Sequence, residues 1–197
     1  MSKLKLQTIT FLMFVIQTCL GQTSSKKEIY NADFKWTITI PENFISVSSE
    51  EWAKMQAKGE DAIEKTFNED IVNQSKTIFI FKNDNFNYFE STHQPFDPLI
   101  DGDYIETFDG VNGLLMETFQ TQMPNVKIDT LRGTEKIDGL EFQTFKMKVV
   151  YPNNLVYTIL MFSRLFDKKE LTVNIMFIDE EKGNLMLESW KKSRFQN

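Results

Sequence analysis

The stretches LEFQTFKMKVVY (residues 140–151), VYTILMFSRLF (156–166) and LTVNIMF (171–177) decide the fold. Each is rich in β-branched and aromatic residues, and the gaps between them are too short for the crossover of a dozen or more residues that a parallel pair requires. They therefore predict consecutive antiparallel strands. The second and third are apolar on both faces, so the sheet must be covered on both sides. Upstream, Val126 to Arg132 and Thr134 to Ile137 read as further strand, joined to Leu140 by an Asp138-Gly139 hairpin turn. Downstream, Asp179 is placed to cap a helix through Leu185, Met186 and Trp190.

The first half of the chain supplies the remaining elements. Phe34 to Ile40 alternates with period two and stops at Pro41, which removes a ladder donor. Ser48 and Glu51 form a capping-box pair, and Trp52, Met55, Gly59, Ala62, Ile63 and Phe67 follow at helical spacing, predicting a helix or a broken pair of helices over 49–70 with Gly59 as the weak point. Thr77 to Phe81 and Phe86 to Thr92 predict a hairpin about an Asn83-Asp84-Asn85 turn. Ile105, Phe108, Val111, Leu115 and Phe119 share one face of a helix over about 103–122, in which Gly110 and Gly113 each cost about 1 kcal/mol relative to alanine. The fold class is α+β: an α/β/α sandwich with a central, largely antiparallel sheet and three helices. Trp36, Phe142, Phe145, Ile159, Val173 and Ile175 on strands should be buried against Trp52, Phe108, Leu115, Phe119 and Trp190 on helices.

The opening Phe34-Lys35-Trp36-Thr37-Ile38-Thr39-Ile40-Pro41-Glu42-Asn43-Phe44, the two internal helices and the closing strand-helix from Leu171 to Phe195 resemble the PsbP-like superfamily. That superfamily includes the extrinsic PsbP subunits of photosystem II, a nuclear Ran-binding protein and secreted bacterial proteins. The resemblance covers about residues 29–195 and rests on element order and one strand-turn motif. It implies an α/β/α sandwich with a binding or assembly role and no shared catalytic machinery, and it carries over no functional residue.

The N-terminus indicates an address. Lys3 and Lys5 precede an apolar run, Ile9 to Ile16, ending at Cys19-Leu20-Gly21, which is the layout of a secretory signal peptide. Residues 1–21 are accordingly read as a signal, cleaved between Gly21 and Gln22, residues 22–28 as a disordered polar leader, and 29–197 as one domain. A second reading lipidates Cys19, against which Gln17 and Thr18 stand where small or apolar residues are expected. A spanning anchor needs about 20 predominantly apolar residues, and this run is shorter. The expected location is periplasmic or secreted.

Loss of Lys3 and Lys5 with the signal, residues 1–21, takes the formal charge from −6 to −8. A negative domain argues against nucleic acid and anionic lipid, leaving a protein as the expected partner. Cys19 is the only cysteine, so the domain has no disulfide and no thiolate metal site, and the aromatic residues, 18 Phe and 3 Trp in the whole chain of which Phe11 and Phe14 leave with the signal, must supply a core sufficient by itself. No cofactor is expected. His93, the only histidine, is the candidate base for a hydroxyl such as Ser91, oriented by Asp97, but the Gly-x-Ser-x-Gly elbow is absent and an ordinary loop histidine is the simpler account. Asp97, Asp101, Asp103, Glu106 and Asp109 are hard oxygen ligands at a spacing that suits calcium. The same acids at a helix N-terminus are explained by capping and the helix dipole. Phe86, Tyr88, Phe89, Phe96 and Tyr104 surround His93 in sequence as groove or core. Asn73-Gln74-Ser75 is a glycosylation sequon only in a host that uses such sites. The function expected is a non-catalytic extracytoplasmic binding or assembly module; the alternative is an extracytoplasmic hydrolase using His93 or an acidic pair.

Overall fold

The computed structural model describes residues 27–68 and 73–196. The signal segment, Cys19, the Gly21/Gln22 cleavage point and leader residues 22–26 lie outside them. Fourteen elements follow in order: β1 (Lys27–Asn31), β2 (Trp36–Ile40), β3 (Ile45–Ser46), α1 (Ser49–Phe67), β4 (Lys76–Asp84), β5 (Asn87–Pro95), α2 (Pro98–Asp101), α3 (Tyr104–Gln122), β6 (Lys127–Ile137), β7 (Leu140–Val150), β8 (Val156–Phe166), β9 (Lys169–Phe177), α4 (Glu180–Lys191) and β10 (Arg194–Phe195).

Seven strands form one antiparallel sheet in the order β3-β4-β5-β9-β8-β7-β6. Register separates its two faces. Phe89, Ile175, Leu160 and Phe142 point to one, and Tyr88, Met176, Ile159 and Met147 to the other. The first face packs beneath α4 and a small sheet of order β1-β2-β10, enclosing Trp36, Phe81, Phe89, Phe142, Val173, Trp190 and Phe195. The second lies beneath α3, where Phe108, Leu115 and Phe119 meet Phe145, Met147, Val149 and Ile159, and beneath α1, whose Trp52 packs edge-on to Tyr88. The sandwich and the burial expected of both residue sets are thus present, with Leu115 and Phe119 half-buried.

Several details depart from the sequence reading. Lys27 and Glu28, expected in the disordered leader, begin β1 and pair with Ile40 and Thr39. The described residues form four helices, because Pro98–Asp101 makes one short turn of its own. Gly133 does not divide β6, which pairs with β7 without a register break from Lys127 to Ile137. Phe86 sits at the tip of the β4-β5 turn rather than in the strand, since Asp84 Oδ1 accepts from Phe86 N at 2.9 Å and closes the turn one residue later than expected. Ser48 caps α1 by accepting from Glu51 N, but Glu51 reaches Lys82 at 2.5 Å instead of returning the bond. The Asp138-Gly139 turn has positive φ at both residues (49° and 79°), as the hairpin chemistry requires.

α4 approaches the sheet closely at Gly183, where an added Cβ would lie 2.5–2.7 Å from the Phe177 ring. Around Gly110 and Gly113 of α3 there is open space. Opposite effects are expected from one substitution type: Gly183→Ala should destabilise by about 1–3 kcal/mol through overpacking, whereas Gly110→Ala or Gly113→Ala should stabilise by up to about 1 kcal/mol. Chemical denaturation of the three variants checks this, and a neutral Gly183→Ala would refute the close packing of α4.

Candidate functional site

Ser91 and His93 share the first face of β5, two residues apart, yet do not act together. Ser91 Oγ accepts from Phe79 N and donates to Phe79 O at 3.0 Å, which pins the β4 bulge between Thr77 and Phe79. His93 packs edge-on to Phe34, its ring centroid 5.9 Å away, and its Nδ1 is buried without a hydrogen-bond partner. Burial and the charges of Lys169 and Lys76 hold its pKa below the usual value, with Asp33 opposing them. Asp97 is engaged elsewhere. The triad suggested by sequence is therefore not assembled.

The acids 97–109 do come together, as a scaffold for one corner of the molecule. Asp97 Oδ1 accepts from Leu99 N (3.1 Å), and Asp101 Oδ2 reaches back to Asp97 N (2.7 Å). Asp103 caps α3 through Ile105 N and Glu106 N at 2.9 and 3.0 Å. Thr107 Oγ1 donates to Asp101 O, Lys168 lies 3.6 Å from Asp97, and Asp109 pairs with Arg132 across to β6. Glu106 is exposed. Among the described residues no three His, Cys, Asp or Glu side chains are placed to share a metal ion.

This corner is fastened to the sheet from below. Phe96 is buried, packs edge-on to Tyr104, and its N–H donates to Lys168 O. Tyr104 OH meets Ser163 Oγ at 2.7 Å, Ser163 donates to Glu170 Oε1 at 2.5 Å, and Gln94 Nε2 donates to Glu170 Oε2 at 2.7 Å. Burial, together with the nearby Glu170 charge, pushes the Tyr104 hydroxyl up to about 12. With its base locked, α2 holds Leu99 and Ile100 out at 94% and 83% exposure. No sequence signal marks them as more than ordinary helix residues.

The anchor belongs to a polar seam along β5 and β9 on the second face, running from Glu90 and Asn174 past Thr92 and Thr172 to Gln94 and Glu170. At its far end Glu90 accepts from Trp52 Nε1 (2.9 Å), Asn174 Nδ2 (3.3 Å) and Gln56 Nε2 (3.4 Å). Burial raises the Glu90 pKa against these three bonds, which pull it down. Glu90 and Glu170 are separated by four residues of strand, about 13 Å, which exceeds the span of a glycosidase carboxylate pair. The cavity under the corner, lined by Gln94, Thr107, Val111 and Glu170, holds about 60 Å³, room for a water or two. Larger concavities of about 360, 310 and 250 Å³ lie away from it, the first between Lys35, Arg164 and Phe195.

Because the folded state favours the neutral form of Glu90, that group's contribution is complete below its unfolded pKa near 4.5 and is lost as pH rises through the higher folded value. Glu90→Gln keeps an acceptor for Trp52 and offers an amide to Asn174 Oδ1, which has no partner. Its melting temperature should match the wild type in acid and exceed it increasingly above pH 4.5, with a slope of at most about 1.4 kcal/mol per pH unit. His93 titrates in the opposite sense and cancels in the comparison. A difference independent of pH would show that the fold leaves the Glu90 pKa at its unfolded value and would refute the raised pKa.

No family model matches the sequence, and no curated protein matches it. Among solved structures, cyanobacterial PsbP from Synechocystis sp. PCC 6803 aligns over 92% of this chain and 99% of its own at 9% identity, with a TM-score of 0.56. The Saccharomyces cerevisiae Ran-binding protein Mog1p aligns over 86% of this chain and 95% of its own at 11% identity, with a TM-score of 0.42. The likeness to PsbP shows a shared fold, as the sequence resemblance implied.

Proposed function

We propose that the protein works outside the cytoplasm as a non-catalytic binding or assembly module that docks a protein partner on the α2-α3 corner. The observation that carries this reading is the pair Leu99 and Ile100, held out by a buttressed turn. Two adjacent aliphatic side chains fixed in water forgo about 1.5–3 kcal/mol each that burial would return, so a complementary apolar pocket gains both without an ordering cost on this side. Asp101, Asp103 and Glu106 around them disfavour an anionic lipid surface and suit a partner with a basic rim. The basic, apolar and small-residue order of residues 3–21 supports export. The assembly role of PsbP-like proteins agrees with the reading. A hydrolase built on His93 or on the Glu90 and Glu170 pair is left without an assembled centre at those residues.

A photo-cross-linking residue at position 99 or 100 tests the reading in the native host. A single adduct is expected in the cell-envelope or secreted fraction, on protein whose N-terminus is Gln22. Leu99→Asp with Ile100→Asp should abolish the same capture from a cross-linker placed at Ile105, while leaving stability within about 0.5 kcal/mol. Undiminished capture in the double variant, or protein retained in the cytosol with Met1 intact, would refute the proposal.

A further inference from the structure

β6 is the outer strand of the large sheet, eleven residues long, with its far edge free among the described residues and no proline or bulge to blunt it. Ile137 and Leu140 flank a two-residue turn and so form a hydrogen-bonded pair. Alternation from there directs the backbone groups of Lys127, Asp129, Leu131, Gly133 and Glu135 toward β7. Those of Ile128, Thr130, Arg132 and Thr134 face the free edge.

A second copy is the occupant whose charges can be tested against this edge residue by residue. Antiparallel strands pair residues of like orientation, so a two-fold axis joining two β6 strands must pass beside a residue that faces its own copy. Centred on Arg132, the register sets arginine against arginine and Asp129 against Glu135. Centring on Thr130 or Gly133 brings no opposite charges together.

Centred on Leu131, every position fits. Leu131, 68% exposed in the middle of a polar strand, meets its own copy. Thr130 lies opposite Arg132, Asp129 opposite Gly133 and Ile128 opposite Thr134, while Lys127 lies opposite Glu135 at both ends. Opposite charges across strands stabilise and like charges destabilise, and symmetry doubles each effect. Lys127 already lies 3.6 Å from Asp129 and Glu135 2.9 Å from Lys191, so the paired ends would form small charge networks.

We infer that two copies of the chain join through β6, antiparallel about Leu131, into one continuous sheet of fourteen strands. α4 of both copies then lies on the same side, since Leu131 and α4 share the first face. Leu131 forms a pair without mutual hydrogen bonds, with Cα atoms about 4.5 Å apart, close enough for a disulfide between cysteines introduced there.

Analytical ultracentrifugation up to about 1 mM spans the range of weak interfaces and should show a monomer–dimer equilibrium. Lys127→Glu or Glu135→Lys alone should weaken it at least about tenfold, and the two together should restore it. In a Cys19→Ser background, Leu131→Cys should oxidise to a covalent dimer, whereas Asp129→Cys, facing Gly133 of the other copy, should not. Unchanged melting temperatures certify the folding of each variant. A wild type that stays monomeric leaves the edge to some other chain and overturns the inference. So does a dimer indifferent to both charge reversals, or one that cross-links equally through position 129.

Discussion

The contact between Trp36 and Trp190 is the constraint on which the rest of the molecule depends. The two indoles, both fully buried, meet at 5.5 Å and 86°, with Phe195 stacked on Trp36 at 5.9 Å and Phe142 edge-on to Trp190 at 5.1 Å. Trp36 comes from the first strand pair, Trp190 from the last helix and Phe142 from β7 of the large sheet. One aromatic cluster therefore joins the first strand pair, the large sheet and the last helix, replacing the cross-links that a chain with a single cysteine cannot make within itself. Neither indole N–H has a hydrogen-bond partner. Each would cost about 1–3 kcal/mol in a purely aliphatic core, and the surrounding ring faces offer weak acceptors in compensation. A side-chain bond to the backbone completes the closure: Asp138 Oδ2 accepts from Phe195 N at 2.7 Å, tying β10 to the β6-β7 turn.

The second face is organised differently. Under α3, toward β7 and β8, contacts are apolar; under α1 the sheet presents Glu90 of β5 to Trp52 and Gln56. A helix held by Trp52 and hydrogen bonds to one carboxyl group has fewer apolar contacts to lose on opening than one embedded in an aliphatic core. The α2-α3 corner takes the opposite course. There Ser163 and Glu170 are buried and Tyr104 and Gln94 half-buried, and an unbroken chain of hydrogen bonds links the four, which fixes geometry more strictly than apolar packing does. That rigidity is what can keep Leu99 and Ile100 from folding back onto the surface.

The meander was legible in the sequence because its pattern is local. Apolar residues on both faces of 156–166 and 171–177 demanded two covering layers, and Asp138-Gly139 fixed a hairpin. What escaped was set by long-range pairing. β1, β3 and β10 are short strands with weak alternation, defined by partners as distant as Lys27 and Ile40 or Trp36 and Phe195. The acids 97–109 were visible as a cluster, but calcium binding and turn capping use the same residues at the same spacing, and only the geometry separates them. Glu90 and Glu170 were hidden for another reason. Each looks like the polar residue of an alternating strand facing water, and nothing local reveals that a helix will cover it.

The two outer strands of the large sheet differ in what they leave open. β3 is two residues long, and α1 follows it closely, with Lys82 of β4 bonded to Glu51 of α1 and Asn83 to Asn43 O. That side is occupied by the chain itself. β6 has no such neighbour, and along its length charges of opposite sign succeed one another, Lys127, Asp129, Arg132, Glu135 and Lys136, rather than the runs of lysine that repel a second strand. Arg132 and Glu135 are already engaged by Asp109 and Lys191 from the helical layers, so the side chains along this edge are held in place before any partner arrives. An edge ordered in advance lowers the entropy cost of pairing. Two strands, β7 and β8, separate β6 from the β5-β9 seam to which the α2-α3 corner is fastened. Association of two copies through β6 and docking of a partner at Leu99 and Ile100 are then geometrically compatible, and a dimer would present that corner twice, raising the effective affinity for any partner able to reach both.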